Sequence, residues 1–258
     1  MVKGLDIFRE RFQDFADSFS LIGGAACDEW FTAQGLPFRA TKDLDIVLII
    51  EVIDPAFVAA FRVFTAEGGY EIRQRSKERP ILYRFAKPKR SQFPFMLELF
   101  SRRPDDLQLE QGQEIVPILA GADQHSLSAL LLNDNYYQLI QNHREVREGL
   151  PSATATALIP LKAHAWINLS KRRASGARVD SYEIAKHRND VFRLAGTLSG
   201  EPGPLLPPPI TDDLTRFLNA FPETSPDWPP ILDSLKNTLG GNLRPARLRQ
   251  AIQTFFRL

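Results

Sequence analysis

The run DLDIVLII, from Asp43 to Ile50, constrains this chain more than any other stretch. Leu44, Ile46, Val47, Leu48, Ile49 and Ile50 are almost continuously apolar, the pattern of a buried strand. Side chains alternate along a strand, so Asp43 and Asp45 at its mouth face the same way. Two carboxylates that close repel each other unless a cation lies between them. A divalent metal meets that need, and so does a lysine such as Lys42.

The elements around this strand predict an α/β or α+β domain on a mixed sheet. Leu5, Phe8, Phe12 and Phe15 recur at helical spacing over residues 5–18. Ser20–Ile22 reads as a short strand that ends in Gly23 and Gly24, with a helix after it that Gly35 stops. Asp54 and Pro55 form an N-cap and first-turn proline for a helix that Gly68 and Gly69 end. Strands are expected at 70–74, 81–86, 94–100 and near 113–119. From about residue 125 the pattern turns helical: SLSALLLNDNYYQLIQNHREVRE, ALIPLKAHAWINLSKRRASG, SYEIAKHRNDVFRLAGTL, TDDLTRFLNAF and RPARLRQAIQTFFRL all read as helices. The expected division is therefore a catalytic domain over 1–122 and a helical domain over 123–258. The stretch GEPGPLLPPPI, with five prolines in eleven residues, reads as a stiff spacer.

Composition narrows the function. Apolar residues make up 43% and charged residues 24% of 258 residues, the mix of a soluble globular protein with a sizeable core. Thirty-two basic residues against 31 acidic ones leave a net charge of +1, which argues against coating nucleic acid by charge alone. A lone cysteine, Cys27, excludes a disulfide framework, and the scattered histidines suggest no zinc site. The charged first twenty residues do not read as a signal peptide, and no apolar run approaches membrane-spanning length. The expected setting is cytoplasmic.

Strand, Gly-Gly turn, helix and then D-x-D at a strand start suit two-metal nucleotidyl transfer. Glycines let phosphate approach the backbone, the helix start offers free N–H groups, and carboxylates bind magnesium. A third acid comes from FPFMLELFS, where Glu98 interrupts an apolar strand and must be compensated by metal or by a base such as Arg84.

These motifs resemble the polymerase-beta-like nucleotidyltransferase superfamily. LKAHAWINLSKRRASGARVDSYEIAKHRNDVFRL is similar to the later motifs of its AbiEii-type, toxin-like members. The resemblance spans roughly residues 18–195, with Ala25 where the superfamily frequently carries a hydroxyl residue. It implies Gly23 and Gly24 under the nucleotide phosphates, and Asp43, Asp45 and Glu98 as the catalytic metal ligands. Lys162 would be a catalytic, phosphate-contacting lysine, with Lys186 and Asp190 in the final nucleotide-binding motif. It further implies two magnesium ions, an NTP substrate, an RNA (tRNA) or protein acceptor, and a cognate antitoxin partner. The alternatives are a small-molecule nucleotidyltransferase and a catalytically silent nucleotide- or partner-binding relative. Residue by residue, plainer readings stand beside these. Lys162 could be a snorkelling surface lysine, Lys186 and Asp190 an i,i+4 surface ion pair, and Asp180 a helix cap. Arg172, Arg173 and Arg178 form a basic cluster that could meet RNA or simply end a helix.

Overall fold

In a computed structural model of the chain, residues 2–72, 83–105, 107, 115–118 and 127–258 are described. The chain forms two compact units. One comprises the residues up to Glu29 with Arg39–Ala153; the other joins Trp30–Phe38 to Thr154–Leu258. The division expected at 122/123, in a stretch outside the described residues, thus lies instead between Ala153 and Thr154.

The first unit holds a mixed sheet whose nine described strands are β1 (Phe19–Ile22), β2 (Asp43–Leu48), β3 (Glu71–Ile72), β4 (Arg84–Ala86), β5 (Met96–Ser101), β6 (Ile115–Ile118), β7 (Leu127–Leu131), β8 (Arg144–Arg147) and β9 (Leu150–Ala153). Their order is β3-β4-β5-β2-β1-β9-β8, with β7 joined to β5 and β6. β2 is central: antiparallel to β1 and parallel to β5. The helices of this unit are α1 (Leu5–Phe12), the start of α2 (Gly23–Thr32), α3 (Pro55–Gly68) and α4 (Asp134–Asn142).

One sheet face is sealed by phenylalanines. Phe8 and Phe12 of α1 stack at 4.4 Å. Phe8 meets Phe64 of α3 at 5.6 Å, and Phe61 meets Phe85 of β4 at 5.5 Å. Leu21, Leu44, Ile46, Leu97 and Leu99 are all buried. α3 begins where Asp54 accepts a hydrogen bond from the Phe57 amide at 2.8 Å, and ends at Gly69 in the left-handed region (φ 64°).

The described part of the stretch expected to be helical, 127–148, is not one helix. It contains β7, α4 and β8, and β8 then turns through Glu148 and Gly149, both at positive φ, into β9. The five apolar and small residues of β7 satisfy a helix pattern and a strand pattern equally well, and sheet pairing with β6 decides between them.

The second unit is helical: α5 (Ala155–Ala174), α6 (Ser181–Ala195), α7 (Pro208–Ala220), α8 (Trp228–Leu239) and α9 (Pro245–Phe256), with the last turn of α2. Its core is an aromatic cluster. Phe192 lies 4.7 Å from Trp228 and 5.3 Å from Phe217, and Trp166 lies 5.0 Å from Phe221. The proline-rich stretch divides: residues 200–207 are a tethered spacer, where the Gly203 amide donates to the Phe255 carbonyl at 2.8 Å and Arg257 donates to the Gly203 carbonyl, while Pro208 and Pro209 open α7. Among the described residues no helix is long and apolar enough to cross a membrane.

Candidate functional site

In the first unit the expected site residues gather on the sheet face opposite the phenylalanines. Asp45 is in register with Ile22 of β1 and with Glu98 of β5, and Asp43 lies two residues along the same face. Residues paired across neighbouring strands point the same way, so the three acids share one face. The glycines sit directly beside them. Gly23 has φ +67°, and a Cβ built on it would fall 1.9 Å from Asp45 Oδ2; one on Gly24 would fall 2.5 Å from Thr41 Oγ1. Only glycine allows the start of α2 to lie this close to the Asp45 carboxylate.

Glu98 is buried, and Arg84, its register partner on β4, binds it. Arg84 Nε donates to Glu98 Oε1 at 2.6 Å, and Nη2 contacts the same oxygen. The misfit charge in FPFMLELFS is thus compensated by the arginine that the sequence offered as one alternative. Among the described residues no group of three or more His, Cys, Asp or Glu side chains is gathered closely enough to hold a metal ion. The aspartate pair has the hard-oxygen chemistry that magnesium takes, while the Glu98 carboxylate is turned towards Arg84. Lys42 is exposed, with its ammonium 4.2 Å from the centre of the Phe95 ring.

In the second unit Lys162 and Asp190 are brought together. Lys162, 4% exposed, is not a surface lysine: its Nζ lies 3.3 Å from Asp190 Oδ2. Asp190 is fully buried, and its other oxygen accepts a 2.6 Å bond from Arg193 Nη1. Arg193 Nη2 donates to the Ser234 carbonyl at 2.8 Å, which ties the cluster to α8. The reading of Lys186 and Asp190 as a surface pair is therefore wrong: Lys186 binds Glu183, and Asp190 faces Lys162 and Arg193. Arg193 is the residue that sequence reasoning missed; its signal was the i,i+3 spacing from Asp190. Asp180 is a cap, accepting from the Tyr182 amide at 2.9 Å.

A second unforeseen cluster lies beyond the carboxyl ends of β2 and β5. Glu51 accepts from the Tyr137 hydroxyl at 2.5 Å, Arg102 Nε at 2.7 Å and Gln141 at 3.1 Å, and Tyr137 in turn accepts from the Ile50 amide. Burial alone raises the Glu51 carboxyl, but the bonds from Tyr137 and Arg102 outweigh it and hold its pKa below the ordinary value. Burial and the neighbouring Glu51 push the Tyr137 hydroxyl up. Both Glu51 oxygens and the Tyr137 hydroxyl are engaged, so the cluster reads as a clamp between α4 and the sheet.

No family model, curated protein or solved structure matches this chain.

Proposed function

We propose that the chain is a metal-dependent nucleotidyltransferase that moves a nucleoside monophosphate from an NTP to an acceptor hydroxyl of RNA or protein. One observation carries the reading: the shared register of Ile22, Asp45 and Glu98, which sets a strand–Gly–Gly turn and three acids on one sheet face. Asp43 and Asp45 are the metal ligands in this reading, with Glu98 joining them when Arg84 releases it. Two magnesium ions, when bound, would lower the pKa of the acceptor hydroxyl and neutralise the departing pyrophosphate. Gly23 and Gly24 admit phosphate to the first N–H groups of α2, which have no partner within the helix. In this reading Lys162 is the phosphate-contacting lysine that the resemblance implies, its ammonium held by Asp190. Asp190 is a positioning residue that holds Lys162, since a carboxylate aimed at phosphate would repel it. Lys186 has the weaker claim because Glu183 already holds it. A cognate antitoxin belongs to the same reading.

The Arg84–Glu98 ion pair favours a second reading, a protein that binds nucleotide without transferring it. The test is incubation of the full chain with each labelled NTP, magnesium and total RNA, beside Asp45→Asn. Transferase activity predicts label in RNA or protein with the parent chain alone. A nucleotide that raises the melting temperature but leaves no label on any acceptor would decide for the silent reading.

A further inference from the structure

The basic residues that close α5, Lys171, Arg172 and Arg173, are all exposed, as is Arg178 in the turn to α6. Among the described residues no carboxylate pairs with any of the four, whereas Arg9, Arg102 and Arg188 all hold acids. Between residues 171 and 182 the one acid is Asp180, and its carboxylate caps α6. The α5 dipole favours cations in its last turn, but that effect fades beyond the helix end and gives no reason for Arg178. Tyr182 follows the cap directly and is 65% exposed, the most exposed aromatic ring among the described residues.

An open ring that follows unneutralised cations across the α5–α6 turn, four residues after Arg178, is a combination that single-stranded nucleic acid uses, with phosphates on the cations and a base on the ring. We infer that the α5–α6 turn is an RNA-binding surface, in which Lys171, Arg172, Arg173 and Arg178 take phosphates and Tyr182 stacks an unpaired base. RNA is the polymer that displays unpaired bases in its loops and ends. With a net charge of only +1 on the whole chain, attraction for RNA has to come from local patches such as this one. As the surface that holds the acceptor strand it rests on the transferase reading; the binding itself needs neither nucleotide nor magnesium.

The test is fluorescence anisotropy of an end-labelled single-stranded RNA with the full chain, in a salt series, without NTP or magnesium. Four phosphate contacts on a single strand give a slope of log Kd against log salt of about 3. Arg172→Glu/Arg173→Glu/Arg178→Glu should abolish that slope and the binding. Tyr182→Ala should weaken binding about fivefold or more at unchanged slope, and Tyr182→Phe should retain it. These side chains are exposed, so circular dichroism should be unaltered; if the triple Glu variant does not fold, the triple Gln variant is measured for the same loss. Affinity and slope unchanged in the folded charge variant would overturn the surface. So would Tyr182→Ala binding like the parent, or equal binding of DNA of the same sequence. Asp45→Asn should bind RNA like the parent chain. RNA binding without label transfer would sink the transferase reading and leave this surface standing. Label transfer untouched by the charge variant would do the reverse.

Discussion

Asp190→Asn removes the carboxylate that Lys162 and Arg193 share, leaving two cations 4% exposed in the core of the helical unit. Breaking a buried ion pair costs about 3–5 kcal/mol because the remaining charge loses its carboxylate without gaining water. The asparagine carbonyl still accepts from Arg193, which recovers about 1 kcal/mol. The expected loss is therefore about 3 kcal/mol. Lys162→Met provides the contrast. It keeps the packing of the aliphatic stem and leaves Asp190 bound to Arg193 at 2.6 Å, a neutral buried pair. Exchanging a buried charge for an apolar side chain of similar volume is often nearly neutral, so its cost should stay below about 1.5 kcal/mol. Urea denaturation followed by circular dichroism measures both losses. Hydrogen exchange at the amides of α5 and α6 localises them. Equal losses, or a loss below about 1 kcal/mol for Asp190→Asn, would refute the argument that Asp190 holds Lys162 and Arg193 in the fold. If Lys162→Met keeps its stability and loses nucleotide-dependent labelling, the lysine acts on phosphate and not on the fold.

Three further outcomes follow from the sheet unit. Gly23→Ala should cost about 1–2 kcal/mol from its left-handed backbone alone and displace the Asp45 carboxylate, so thermal melting should fall together with any magnesium-induced stabilisation. Asp45→Ala should leave melting without metal unchanged or slightly raised, because it relieves repulsion from Asp43; a clear fall would show that the pair is structural. Tyr137→Phe removes a donor to Glu51, whose folded pKa lies below its unfolded one. Such a group stabilises above the unfolded pKa and loses that contribution as pH falls through the folded value. The difference in stability between Tyr137→Phe and the parent chain should therefore be largest at neutral pH and shrink in acid; a constant difference would exclude Glu51 as its source.

The parts that were legible in the sequence are those with local causes. Asp54 caps α3 through its own first turn, and the D-x-D strand carries its face assignment in its alternation. Glu98 was visible as a charge where an apolar residue belonged. What escaped depends on distant pairing or on weak turn chemistry. β7 looked helical until β6 paired with it, and the Glu148–Gly149 turn lacks the Asn-Gly or Asp-Gly signature of a tight hairpin. α8 was hidden behind Trp228, Pro229 and Pro230, prolines that fit a first helical turn but read equally as loop. Lys186 and Asp190 have the spacing of a pair, yet full burial drew Asp190 to Lys162 on α5.

The division of aromatic residues between the two units gives each its own optical signature. The sheet unit is built on phenylalanine and tyrosine, whereas all three tryptophans, Trp30, Trp166 and Trp228, belong to the helical unit. Red-edge excitation, which passes over phenylalanine and tyrosine, therefore reports on the helices alone. Trp30 bonded to Thr197 and Trp228 bonded to the Pro222 carbonyl set its native spectrum. Emission and far-ultraviolet ellipticity recorded on one sample will separate if the units melt independently and coincide if they melt as one. The cooperativity of the whole chain can thus be read without a label or a truncation.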